Sequence, residues 1–193
     1  MEKIIPRWEW RTFADSIDLA VDLNQYNQDR EVESAEVYVL STVVNENPKV
    51  REGKMDVKSL QQVNDDGLEQ WKPILKVSFP LNQEQLAEVY RVFRLSLPEL
   101  SGDSVSFEDF LKLTEANPRL MAIDVVKSRK LYTVDGCIVE NAMLTVDGRK
   151  FQTVAAEDPD PDLVKAVVKK LGLWDRENIN YVQGLKRIRN KEL

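Results

Sequence analysis

The chain has 193 residues, 42% of them apolar, and a formal net charge of −6. That length suffices for a single domain, residues 1–193, with a real core, and that charge argues against a general nucleic-acid-binding surface. Histidine is absent and Cys137 is the only cysteine, which excludes histidine triads, histidine or thiolate metal sites and an internal disulfide.

The single cysteine fits a reducing compartment. The N-terminus lacks the basic-then-apolar layout of a signal peptide, and no apolar run approaches the roughly 20 residues of a membrane span. The expectation is therefore a cytoplasmic protein with no membrane partner and no nucleic-acid partner. Any chemistry must use carboxylates, Lys, Arg, Tyr or hydroxyls. A metal, if used, should be a hard, oxygen-loving ion such as Mg²⁺ or Mn²⁺.

In chain order, "RWEWRTF" (7–13) predicts a strand, and "ADSIDLAVDLNQYN" a short helix, from its crowded apolar residues. "SAEVYVLST" predicts a strand of β-branched and aromatic residues. "NPKVREGKMDVKSLQQV" predicts a hairpin turning at Glu52-Gly53. "EQWKPILKVSFPL" is a further extended segment. Asn82 and Gln85 form a capping pair for a helix in "QEQLAEVYRVFRLSL", and Ser106 with Asp109 caps a short second one.

"LMAIDVVKSRKLYTV", "CIVENAMLTV" and "RKFQTVAAED" predict three strands joined by Asp135-Gly136 and Asp147-Gly148, two strong hairpin signals. Asp160, Pro161 and Gly172 bracket a last helix. The tail from Asn178 to Leu193 is polar and basic, expected to be only partly packed. Eight or so mostly antiparallel strands with helices outside predict an α+β protein whose eight-stranded antiparallel sheet is long enough to form a closed barrel.

Residues two apart in a strand share a face. By that rule Arg7, Glu9 and Arg11 lie together, as do Lys49 and Arg51, Asp56 and Lys58, and Lys127 and Arg129. Lys76 sits in the otherwise apolar "ILKVSF", and Glu140 among apolar neighbours. A sheet with one wet face also shows charges at period two. The recurrence of cations in at least five strands favours instead a basic lumen, where Arg forks and Lys point charges suit phosphate oxygens.

In the order of its elements the chain resembles the CYTH superfamily, the triphosphate tunnel metalloenzymes. The resemblance runs through "RWEWR", "PKVREGKMDVKSL", "DVVKSRKLYTV", "CIVENAML" and "VAAED". It implies an eight-stranded antiparallel tunnel that takes inorganic triphosphate or a triphosphate-containing small molecule with Mg²⁺ or Mn²⁺. On the family's E-x-E-x-K strand, Glu9 takes the place of the second Glu and Arg11 that of the Lys. Lys49, Arg51 and Lys58 match basic positions of the next strands, Lys127 and Arg129 the late basic pair, Glu140 a late acidic position and Glu157, more weakly, another.

The resemblance thus implies Glu9 and Glu140 as catalytic carboxylates and Glu9, Glu140 and Glu157 as metal ligands. The expected phosphate-binding set is Arg7, Arg11, Lys49, Arg51, Lys58, Lys76, Lys127 and Arg129. Arg7 departs from the pattern, since the family has its first Glu there. Replacing a ligand carboxylate by Arg weakens metal binding and favours anions.

Three readings follow. The first is a tunnel that binds a polyphosphate-type anion (inorganic triphosphate, polyphosphate or a nucleotide) without turnover. The second is a metal-dependent triphosphate hydrolase, and the third an interaction protein with a solvated charged sheet. A homodimer is expected only on general grounds. Structural roles fit the remaining features: Trp8 and Trp10 as packing anchors, Asp65-Asp66 as turn chemistry, "EDPDPD" as a loop and helix cap, and Cys137 as a small buried residue.

Overall fold

A computed structural model describes residues 5–99 and 102–193. Its strands are β1 (Arg7–Ala14), β2 (Asn27–Ser41), β3 (Asn47–Arg51), β4 (Lys54–Val63), β5 (Glu69–Ser78), β6 (Leu81–Asn82), β7 (Ser104–Val105), β8 (Leu120–Val134), β9 (Cys137–Val146) and β10 (Arg149–Asp158). The helices are α1 (Gln83–Val92), α2 (Phe107–Glu115), α3 (Pro161–Lys170) and α4 (Tyr181–Arg189). Eight strands form a closed antiparallel barrel in the order β1-β10-β9-β8-β2-β3-β4-β5, and β6 and β7 pair separately. The expected α+β closed barrel is the observed fold. No helix among the described residues is long and apolar enough to cross a membrane.

The turn chemistry read from the sequence is present. Asp135 and Gly136, and Asp147 and Gly148, all take positive φ at the tips of the β8-β9 and β9-β10 hairpins, the backbone that two-residue turns need. Asn82 and Gln85 form a reciprocal capping box on α1; Ser106 accepts from Asp109 N on α2; Asp160 caps α3, with Pro161 in its first turn.

The chain divides into two compact units. The first takes the residues up to Ala35, Leu60–Lys72 and Val125–Leu193. Its core lies between α3 and one face of β1, β10, β9 and β8: Trp10, Val154, Ala156, Val139 and Tyr132 meet Val164, Val167 and Val168. Trp8 packs at the edge of this cluster, and Cys137 is buried within it. Burial pushes the Cys137 thiol up to about 12, so it is no thiolate nucleophile.

The second unit takes Glu36–Ser59 and Pro73–Asp124. Here Val39, Val50, Met55, Val57 and Val77 pack against Leu86, Val89 and Tyr90 of α1 and Phe110 of α2. Burial of these apolar faces supplies each unit's main stabilisation, on the order of 1.5–3 kcal/mol for each fully buried large side chain.

Two expectations fail. The stretch after β1 is not a helix; it holds only a 3-10 turn at Leu23–Gln25. Ile17 and Leu23 are buried, with Leu19 and Val21 packed beside them, so its apolar residues recur every second position, a spacing that suits a laid-down chain and defeats a helical stripe. The C-terminal tail is not loosely packed either. It forms α4, which buries Tyr181, Val182, Gly184, Leu185 and Ile188, a helical stripe beneath the basic residues.

Candidate functional site

In the first unit, the strand face away from α3 carries the charges. On β1 this face bears Arg7, Glu9, Arg11 and Phe13, since Trp10 of the alternate set belongs to the core. Register then fixes its neighbours. Arg11 stands opposite Ala155 of β10, and Ala155 opposite Glu140 of β9. Glu140 stands opposite Leu131 of β8, placing Arg129 and Lys127 on the same face.

Arg11 is the centre of this face. Its side chain is 7% exposed and reaches two carboxylates: Nε donates to Glu9 Oε1 at 2.8 Å and Nη1 to Glu140 Oε1 at 2.9 Å. Nη1 also lies 3.2 Å from Thr153 Oγ1. The other Glu140 oxygen accepts from Arg129 Nη1 at 3.3 Å. The reach from β1 to β9 is possible because Ala155 is small and leaves a lane across β10. Burial works against the charge of Arg11, but Glu9 and Glu140 outweigh it and hold its pKa above the ordinary guanidinium value. Burial likewise opposes ionised Glu140, yet Arg11, Lys127 and Arg129 keep its carboxyl well below the usual carboxylate range.

The C-terminal segment completes the arrangement. Arg11 N donates to Asn178 Oδ1 at 2.8 Å and Ile179 N to Arg11 O at 2.6 Å. This segment leads into α4, whose first residue puts its ring under two buried cations. The Tyr181 centroid lies 4.3 Å from the Arg11 guanidinium carbon and 4.4 Å from Lys127 Nζ, within cation–π range. Asn180 caps α4 through Oδ1 and donates from Nδ2 to Glu69 Oε1 at 2.9 Å.

Glu69 is a second acidic element. It faces Glu9 across β5 and β1, and Glu9 faces Glu157 across β1 and β10, so three carboxylates form one rung. Burial, helped by Glu9, raises the Glu69 pKa against the hydrogen bonds from Asn180 and Trp71. Glu157 pairs with Arg7 at 2.9 Å, in the open.

The second unit has its own charged face, opposite the one packed by α1 and α2. Lys49 of β3 stands between Tyr38 of β2 and Asp56 of β4. Fully buried Glu36 accepts from the Tyr38 hydroxyl at 2.9 Å and lies 3.6 Å from Arg51. Lys58 stands opposite Asn47. Lys76 is exposed and alternates with Leu75 and Val77, which join the apolar cluster, so it belongs to the charged face. Among the described residues, neither Lys58 nor Lys76 engages a carboxylate.

The expected site residues therefore fall into two groups. Arg7, Glu9, Arg11, Lys127, Arg129, Glu140 and Glu157 share a face of the first unit, and Lys49, Arg51, Lys58 and Lys76 a face of the second. The sequence reading missed Glu69, Thr153, Glu36, Tyr38 and Tyr181. For Tyr181 a signal existed: Tyr181, Val182, Leu185 and Ile188 recur at helical spacing in the tail.

The closed barrel of eight antiparallel strands has a helix packed on its outer face in the first unit. The eight-stranded antiparallel barrel that the CYTH resemblance implies is thus the barrel observed. No family model and no curated protein matches the sequence. Among solved structures, the chain is similar to HpAC1 from Hippeastrum, described as revealing a dominant triphosphatase activity, at TM-score 0.49 and 10% identity over 97% of each chain. It is also similar to a conserved hypothetical protein from Pyrococcus furiosus (TM-score 0.48, 15% identity, 92% of this chain and 97% of that one). A third is the PH1012 protein from Pyrococcus horikoshii (0.46, 15%, 91% and 97%). At such identities and scores, these likenesses carry nothing about ligand or chemistry.

The resemblance read from the sequence implies a divalent metal, and the donor set does not fit one. Glu140 has both oxygens on guanidinium groups, and Glu9 and Glu157 each engage an arginine. Among the described residues no three acidic, Cys or His side chains are grouped to hold a metal ion. A Mg²⁺ or Mn²⁺ site asks for several oxygen ligands free to face the ion.

Proposed function

We propose that this protein binds a polyphosphate-type anion, such as inorganic triphosphate, without turning it over. The observation that carries the reading is the charged face of the second unit, where Lys49, Arg51, Lys58 and Lys76 outnumber Glu36 and Asp56 and where Lys58 and Lys76 have no carboxylate partner among the described residues. Surplus cations gathered on one sheet face suit a multiply charged, oxygen-rich ligand. On the first unit's face Arg7, Arg11, Lys127 and Arg129 are matched by Glu9, Glu69, Glu140 and Glu157, so that face is internally balanced.

Hydrolysis of a phosphoanhydride asks for groups that neutralise the leaving oxygens and orient a water. Glu9 and Glu140, the carboxylates expected for that work, are held by Arg11 instead. This supports binding over turnover.

The test is thermal unfolding with inorganic triphosphate, with phosphate release followed in parallel. A ligand at about a hundred times its Kd contributes about 2.7 kcal/mol, about 5–10 °C for a chain of this size. The shift should shrink in Lys58→Ala/Lys76→Ala and fall with added salt. A melting temperature unmoved by triphosphate sinks the binding reading; metal-dependent phosphate release lost in Glu9→Gln establishes the hydrolase.

A further inference from the structure

Divalent ions in oxygen sites are held by carboxylates brought together from different strands. Glu9 of β1 and Glu140 of β9 are brought together in that way, but the group between them is a side chain of this protein. The Arg11 guanidinium donates to one carboxylate from Nε and to the other from Nη1, at 2.8 and 2.9 Å. We infer that Arg11 occupies the cation position of this acidic pair, so that the barrel carries a fixed internal cation in place of an exchangeable divalent ion.

Four features support the assignment. First, a guanidinium stays charged in proteins, and burial with Glu9 and Glu140 beside it leaves it no route to leave as a neutral group. Second, the backbone of Arg11 is pinned on both sides of the residue, by Asn178 Oδ1 on its N–H and by Ile179 N on its carbonyl. Third, the Tyr181 ring lies against the guanidinium at 4.3 Å, so swinging the side chain away forfeits a cation–π contact as well as two ion pairs. Fourth, Glu140 already faces three cations, Arg11, Arg129 and Lys127. A divalent ion arriving there would meet net positive charge at short range.

Arg7 adds to the same effect at the mouth of the face. It neutralises Glu157, the third acidic group of the expected metal set. Every carboxylate of that set therefore has an arginine partner supplied by β1 itself, and the R-x-E-x-R order of the strand contributes both cations. This inference stands apart from the anion-binding reading, which is carried by the charged face of the second unit.

Mn²⁺ alone is the probe, followed by the paramagnetic resonance signal of the free ion in the absence of any phosphate. Wild-type protein should leave the signal unchanged at millimolar Mn²⁺. Arg11→Met, which keeps the stem and removes the charge, should raise Mn²⁺ affinity at least tenfold, and adding Glu140→Gln should abolish the gain. One Mn²⁺ bound by the wild type and lost in Glu9→Gln or Glu140→Gln would overturn the inference. So would a folded Arg11→Met, checked by circular dichroism, that gains no affinity. The wild-type arm decides the question even where Arg11→Met does not fold. Because no phosphate is present, a failure of the triphosphate shift leaves this result untouched and is read separately.

Discussion

Arg11 Nη1 donates to Glu140 Oε1 at 2.9 Å across 129 residues of sequence, and both side chains are withdrawn from water. A buried pair of this kind is costly to break from one side, because the survivor is left charged and unpaired. Arg11→Ala should therefore destabilise the protein by about 3–5 kcal/mol. Arg7→Ala removes the same residue type from the same strand, but its pair with Glu157 is open to solvent; it should cost under about 1 kcal/mol. Urea unfolding of the two variants checks this, and equal losses would show that burial of the Arg11 network contributes nothing.

Glu140 should make the fold acid-sensitive. Its folded pKa lies below its unfolded one, because Arg11, Lys127 and Arg129 outweigh its burial. A depressed carboxylate contributes stability that is fully present above the unfolded pKa, about 4.3, and lost as pH falls toward the folded value. The stability gap between wild type and Glu140→Gln should thus be constant near neutral pH and narrow below about pH 4.3. Glu69 shifts the other way, so Glu69→Gln should be relatively less damaging as pH rises. Denaturant midpoints from pH 3 to 7 measure both; a gap for Glu140→Gln that stays unchanged at pH 3 contradicts the assignment.

Ala155 keeps the lane between Arg11 and Glu140 open. It stands between them in register and is only 2% exposed. Ala155→Leu should displace the Arg11 side chain and cost about 1–3 kcal/mol by overpacking. The diagnostic is coupling: in a double-mutant cycle with Glu140→Gln the losses should not add. Strict additivity would mean that the guanidinium does not pass over Ala155.

Gly184 lets α4 approach β1. A Cβ there would lie 2.6 Å from Phe13 Cε2, and Phe13 is itself wedged edge-on against Tyr181 at 5.5 Å, so the ring has little room to yield. Gly184→Ala should destabilise by about 1–3 kcal/mol, and Phe13→Leu should recover part of the loss. Tyr181→Phe keeps the ring beneath Arg11 and Lys127 and should cost less than Tyr181→Ala, for which about 3–5 kcal/mol is expected. Chemical denaturation of the four variants is sufficient.

The sequence by itself determined what is local and periodic. Strand alternation put Arg7, Glu9 and Arg11 on one face, Asp-Gly pairs set two hairpins, and Asn82, Ser106 and Asp160 started three helices, because each of these follows from backbone geometry over a few residues. It misplaced the stretch from Asp15 to Asn27, where a few apolar residues fit two periods, and the tail, where basic residues masked a buried stripe. Only the tertiary structure decided what the charges do. Which carboxylate an arginine meets depends on register across strands far apart in the chain, and on a small residue such as Ala155 lying between them. So Glu9 and Glu140, which in sequence resemble metal ligands, became partners of Arg11, and Tyr181, an aromatic ring in the basic tail, became the surface on which two buried cations rest. Electrostatic roles are set by distance and burial, and neither is a property of the chain until it has closed on itself.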